Sequence, residues 1–224
     1  MKRLLGNHDL MWLEGRFHNR NKKFDTQARV MGLIVQMKAE ILNGTVVGAV
    51  ASTLSTGAEV LFVHAGEYVK STGKLARASS ANATTSASAA ATATPASTSA
   101  VEMANWINQQ TVQDIKECTR SGQNVPCKLV SPIYGAGRDR GGSEIGGVYW
   151  TDFRVLQGIG AESQFAQFPP LPWVQVVGHT ADPGNIRIAR GLSAVCIDGG
   201  MQYGGRTYLE ITPGAQYVIC VHSV

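Results

Sequence analysis

Apolar positions along the chain follow two periods. Between Asp25 and Gly44, Val30, Ile34, Met37 and Ile41 recur at helical spacing, with Asp25 placed as an N-cap and Gly44 as a stop, so the spacing predicts a helix. Met103, Trp106, Ile107 and Ile115 predict a second helix between Val101 and Cys118. Other apolar stretches are short and unbroken. Residues 45–50 and 60–63, parted by a Ser/Thr/Gly turn region, read as two buried strands. The last third holds five more strand-like runs, at 174–177, 186–188, 194–197, 207–211 and 217–221, punctuated by Gly and Pro. Leu4-Leu5 reads as a strand end that breaks at Gly6 into a polar loop. Helices interleaved with strands give an α/β fold class.

Two stretches resist either period. Every residue from Ser79 to Ala100 is Ser, Thr, Ala, Asn or Pro, with nothing large to pack, so residues 79–100 read as a disordered low-complexity insertion. It divides one domain into a first part, 1–78, and a C-terminal part, 101–224. Ser131 to Gly147 carries six glycines around Arg138, Asp139 and Arg140 and reads as loops.

Composition narrows the class. Of 224 residues 44% are hydrophobic and 16% charged, with 25 glycines and 8 prolines, which excludes a chain disordered over most of its length and a collagen-like one. No apolar run approaches the roughly 20 residues that cross a bilayer, and Leu4-Leu5-Gly6 after Met1-Lys2-Arg3 is too short for a signal-peptide core. An intracellular, cytoplasmic protein without a membrane partner is expected. Cys118, Cys127, Cys196 and Cys220 form no Cys-x-x-Cys pair and no Cys/His cluster at zinc-ligand spacing, so neither a structural zinc site nor a disulfide framework is expected. The net charge of +4 comes largely from Lys2, Arg3, Arg16, Arg20, Lys22 and Lys23 against Asp9, Glu14 and Asp25. With no RNA-binding or helix-turn-helix signature beside it, that cluster reads as a solvated face rather than a nucleic-acid interface.

Three of the five histidines share one context. His8 lies in Gly6-Asn7-His8-Asp9, His64 follows the run 60–63, and His179 follows Val176-Val177-Gly178. Side chains at the carboxyl ends of neighbouring strands meet on one rim of a sheet, where imidazole and carboxamide groups can hold a metal ion.

Gly6-Asn7-His8-Asp9 resembles the Gly-Asn-His-Asp/Glu motif of the calcineurin-like metallophosphoesterases, the superfamily of the Ser/Thr protein phosphatases. His64-Ala65-Gly66 is similar to the later His-Gly-Gly or His-Ala-Gly motif and Gly178-His179-Thr180 to the final Gly-His motif, in the same order. Trp150-Thr151-Asp152 resembles a Trp-Ser-Asp segment of many relatives. The tail, from Ile197-Asp198-Gly199-Gly200-Met201 through Tyr203-Gly204-Gly205-Arg206 to Leu209-Glu210-Ile211, resembles the Shewanella-like, bacterial-type branch.

The resemblance implies a metallophosphoesterase-type β-sandwich flanked by helices, binding divalent ions (Mn, Fe or Zn). It places Asn7, His64 and His179 as metal ligands, His8 as the catalytic acid that protonates the leaving oxygen, and Arg138 or Arg140, Arg138 favoured, as the phosphate-binding residue. Asp152 and Asp198 are assigned hydrogen-bonding roles. The implied activity is hydrolysis of a phosphoprotein or phosphorylated small molecule by direct attack of metal-bound hydroxide.

The family's opening motifs, Gly-Asp-x-His-Gly and Gly-Asp-x-x-Asp-Arg-Gly, are not in the sequence, and Asp139-Arg140-Gly141 imitates only the end of the second. The chain therefore reads as incomplete at its N-terminus, a portion of a longer phosphatase. Three neutral ligands without a carboxylate hold a divalent ion weakly, so at most one ion is expected. His64-Ala65-Gly66-Glu67-Tyr68 also has fewer loop residues after the glycine than relatives have. Two alternatives stand beside hydrolysis of phosphoproteins: a diadenosine-polyphosphate hydrolase, and a non-catalytic remnant that binds a partner or a phosphate.

Overall fold

A computed structural model describes residues 2–16, 27–66, 69–70, 99–142, 146–159, 166–167, 173–189, 193–200, 207–211 and 217–221. Asp25, Arg20, Lys22, Lys23, Glu67, Tyr68 and residues 79–98 of the insertion lie outside them.

In chain order the elements are β1 (Arg3–Leu4), α1 (Asn7–Leu13), α2 (Gln27–Leu42), β2 (Val46–Val47), β3 (Ala49–Thr53), β4 (Glu59–Val63), β5 (Val69–Lys70) and α3 (Ala100–Arg120). The 3-10 turns Pro132–Tyr134 and Arg138–Arg140 follow, then α4 (Phe153–Leu156), β6 (Ala166–Gln167), β7 (Trp173–Val177), β8 (Arg187–Ile188), β9 (Ala194–Cys196), β10 (Thr207–Ile211) and β11 (Tyr217–Val221). The fold is mixed α/β around a five-stranded sheet of order β3-β4-β7-β9-β8. Its centre, β4-β7-β9, is parallel, and antiparallel β3 and β8 flank it. Central parallel strands are buried on both faces and need apolar side chains without alternation. Val60, Leu61 and Val63, Trp173, Val176 and Val177, and all of β9 are buried accordingly. Two-stranded pairs β1-β2, β5-β6 and β10-β11 complete the sheet structure.

The apolar run 45–50 is not one strand. It splits at Gly48 into β2, which pairs with β1 in parallel, and β3, which joins the large sheet. The split has a physical cause on α3: Asn108 Oδ1 accepts from the amides of Gly48 and Ala49 at 2.8 and 3.0 Å, and its Nδ2 donates to Ala49 O at 2.9 Å. These bonds replace a sheet ladder. A Cβ at Gly48 would lie 2.4 Å from Tyr149 Oη and 2.7 Å from Ile107 Cγ2, so only glycine lets the chain pass this close to α3.

Helix α3 buries Met103, Ala104, Ile107, Thr111 and Ile115 at three- and four-residue spacing. It begins inside the stretch read as an insertion. Ser99 Oγ caps it by accepting from Glu102 N at 3.0 Å, and Glu59 Oε2 accepts from Ala100 N at 2.7 Å. The polar loop expected after Gly6 is also a helix, α1, whose entry is fixed where Gly6 N donates to Asp9 Oδ2 at 2.8 Å. Gly44, at φ 76°, ends α2 in the left-handed conformation that glycine allows.

Cys118 and Cys127 form a disulfide, contrary to the expectation from cysteine spacing. Cys118 lies in the last turn of α3, and the chain folds back so that its Cα comes within 5.3 Å of that of Cys127. Lys38 of α2 holds this hairpin from below. Its buried Nζ donates to the carbonyls of Gly122, Gln123 and Val125 at 3.3, 3.1 and 2.7 Å, and burial lowers its pKa. Cys127 N then donates to Leu13 O, at the end of α1, at 2.7 Å. Disulfides persist in oxidising compartments, which bears against the cytoplasmic expectation. No helix among the described residues is long and apolar enough to cross a membrane. Closing so short a loop stabilises by about 2–3 kcal/mol, so reduction should lower Tm by about 5–10 °C. Thermal unfolding with and without reductant checks this; an unchanged Tm in protein whose mass has gained both thiol hydrogens would contradict it.

Candidate metal-binding site

Three strand ends deliver the site. β1 ends before Gly6, which places Asn7 at the first position of α1 with its side chain buried. β4 ends at Val63, one residue before His64, and its parallel neighbour β7 ends at Val177, two before His179. The parallel register carries past the strand ends, because Gly178 N donates to His64 O at 2.8 Å. The loop after His64 is tied down where the amides of Ala65 and Gly66 donate to Val148 O at 3.0 and 3.3 Å. A Cβ at Gly6 would lie 3.2 Å from the His64 ring, so the glycine lets that imidazole lie against the backbone.

The result is a tight cluster centred on His64 Nε2. His64 Nε2 lies 2.9 Å from Asn7 Oδ1 and 3.2 Å from His179 Nδ1, although the three residues are 57 and 115 positions apart in sequence. The two imidazole rings meet edge to face at 5.0 Å, and the Trp150 ring stands 6.0 Å from that of His179. Ligand atoms bound at about 2.1 Å and set at right angles are themselves about 3 Å apart. The spacing of these donors therefore fits a shared first-row divalent ion. Among the described residues no group of three or more His, Cys, Asp or Glu side chains gathers to hold a metal; this set pairs two imidazoles with a carboxamide.

Electrostatics keep both imidazoles neutral. Burial pushes the His64 pKa down to about 4, with Asp9 and Asp198 opposing and His8 and Arg140 reinforcing the shift. Burial pushes His179 down to about 3, reinforced by His64 and Arg140. A neutral imidazole keeps the lone pair that binds a metal. His179 Nε2 is buried without a hydrogen-bond partner among the described residues, so that ring is oriented by its backbone and by Nδ1.

These shifts predict an acid limb in stability. With both pKa values lower in the fold than the usual 6.5, the unfolded chain binds more protons as pH falls, so metal-free protein should lose stability progressively from about pH 6.5 towards pH 4 and below. Urea unfolding across that range, in wild type and His64→Ala, checks it. A limb equally steep in both proteins would place its origin elsewhere.

The remaining candidates lie on α1, in the 138–140 turn, at the start of α4 and just after β9. His8 is exposed on α1, and its charge is felt by both other histidines. Arg140 lies beside the site but is engaged: its Nη2 pairs with Asp152 Oδ2 at 2.8 Å and donates to Thr180 Oγ1 at 3.1 Å. Arg138 is exposed at the start of the same 3-10 turn. Asp152 caps α4, accepting from Arg154 N at 3.0 Å, and Asp198 Oδ1 accepts from Gly200 N at 3.2 Å. Thr180, which the sequence offered only as the end of a motif, is the hub that joins Arg140 to α4.

No family model, curated protein or solved structure matches the chain.

Proposed function

We propose that Asn7, His64 and His179 hold one divalent cation and that the protein is a metal-dependent phosphoester hydrolase. The observation that carries this is the convergence, from three strand ends, of Asn7 Oδ1 and His179 Nδ1 on His64 Nε2, each within hydrogen-bonding distance of it. The class of reaction comes from the resemblance of Gly6-Asn7-His8-Asp9, His64-Ala65-Gly66 and Gly178-His179-Thr180 to metallophosphoesterase motifs. The two imidazoles suit Fe or Zn, and the carboxamide oxygen also suits Mn.

A bound ion supplies charge that polarises phosphoryl oxygens and acidifies water. The chain's own residues do the rest. His64 and His179 stay neutral at pH 7 and present lone pairs, while buried Asn7 presents a carbonyl oxygen that needs no deprotonation. In this reading His8, exposed on α1 and next to Asn7 in sequence, gives the proton to the leaving oxygen of a phosphorylated protein or small molecule. Arg140, paired with Asp152, adds positive field at the rim rather than a free fork for phosphate.

The test is manganese-dependent phosphate release from a phosphopeptide and from a diadenosine polyphosphate, in wild type and His8→Ala. Release that needs the ion and falls at least about 100-fold in the variant supports the reading. Ion binding without release from either substrate would favour a non-catalytic binding protein, a second reading to which the carboxylate-free donor set and the engagement of Arg140 both lend support.

A further inference from the structure

Among the described residues, His179 is the one non-glycine residue with a positive φ, 71°. Thr180 N donates back to Gly178 O at 2.8 Å, which closes a γ-turn with His179 at its centre. That form of the γ-turn is rare and strained for a residue with a Cβ. Strain of this kind persists only where the surroundings over-determine it, and it clusters at functional sites.

The over-determination is found one residue on. Every polar atom of Thr180 is engaged. Its amide closes the turn, and its carbonyl accepts from Arg187 Nη2 and from Cys196 Sγ, the latter at 3.6 Å. Its hydroxyl oxygen accepts twice, from Phe153 N at 3.0 Å and from Arg140 Nη2 at 3.1 Å. Both donors are themselves fixed. Phe153 is fully buried at the start of α4, and Arg140 is held by the Asp152 carboxylate, whose side chain is only 4% exposed. The hydroxyl thus ties the strained turn to a rigid bracket made of α4 and the 138–140 turn. On the far side of the imidazole, His179 Nε2 has no hydrogen-bond partner among the described residues.

We propose that Thr180 is a positioning residue: its hydroxyl, gripped by Arg140 and the Phe153 amide, keeps His179 in the left-handed conformation that aims Nδ1 at His64 Nε2. The consequence for ion affinity rests on the metal-binding reading above. The positioning itself does not. Without the hydroxyl, Arg140 and the Phe153 amide lose their acceptor, the turn opens to ordinary backbone, and the two imidazoles separate.

The experiment compares full-length wild type, Thr180→Ala and Thr180→Ser by two readouts. Magnetisation transfer between the His64 and His179 ring protons, in metal-free protein, reports their proximity. Cobalt(II) titration reports affinity. We expect the inter-ring signal in wild type and Thr180→Ser and its loss in Thr180→Ala, with affinity at least about 10-fold weaker in Thr180→Ala and restored in Thr180→Ser. If Thr180→Ala does not fold, Arg140→Met removes a donor to the same hydroxyl from outside the turn and should weaken both readouts. An intact inter-ring signal in whichever of these two variants folds would overturn the proposal. A wild type that shows the inter-ring signal but binds no cobalt would sink the metal reading, while the comparison of ring signals would still decide the role of Thr180.

Discussion

Gly147→Ala should be among the most destabilising single-methyl additions in the described fold, costing more than about 4 kcal/mol, a size reserved for changes the structure cannot absorb. A Cβ there would sit 2.1 Å from Ile133 O, 2.3 Å from Ile133 C and 2.5 Å from Pro132 O. All three are backbone atoms, so no rotamer change relieves the clash. The crossing is fixed from both sides. Gly147 N donates to Gly135 O at 2.8 Å, and its carbonyl accepts from Trp150 N and Thr151 N at 2.9 and 3.0 Å. The next residue, Val148, carries the carbonyl that holds the loop after His64, so displacement here also reaches the candidate site. Urea unfolding of the variant against wild type measures the effect, with Gly32→Ala in α2, where a Cβ meets nothing within 4 Å, as the control. A Gly147→Ala midpoint equal to that of wild type would show that the 132–135 and 146–148 segments do not cross as described.

His64→Ala carries the largest expected effect on binding. His64 Nε2 is the atom shared by both contacts of the cluster, to Asn7 and to His179, so its removal takes away both. Changes to groups that merely orient a metal ligand cost about 10–100-fold in affinity; loss of the central ligand should exceed about 100-fold for Mn, Zn or Co. The fold should survive, because the strand register next to it is made by backbone bonds: Gly178 N to His64 O and Ala65 N to Val148 O. Calorimetric titration of both proteins at pH 7 decides the matter. Equal affinity in variant and wild type would place any bound ion elsewhere.

Much of this could be read from the sequence where one element speaks for itself. The stripe of Met103, Ile107 and Ile115 marks α3, and unbroken apolar runs mark β4, β7 and β9, because parallel central strands need no alternation. His64 and His179 could be placed at one rim because each directly follows such a run. The features the pattern hid depend on partners distant in sequence. Gly48 ends a strand because Asn108, 60 residues later, takes its hydrogen bonds. Thr180 depends on Phe153 and Arg140, 27 and 40 residues earlier. Cys118 and Cys127 pair because α3 ends and Lys38 gathers the carbonyls of the following turn, a geometry no cysteine spacing encodes. α1 is hidden for a local reason, since Gly6 reads as a breaker while Asp9 makes it a helix entry.

The most direct measurement is the absorption and X-ray absorption spectrum of cobalt(II) titrated into the full chain at pH 7, which counts the ions bound and their imidazole ligands. One ion per chain with two imidazole nitrogens is expected, with loss of that spectrum in both His64→Ala and His179→Ala. Absence of a bound ion in wild type, or a spectrum unchanged in both variants, would contradict it.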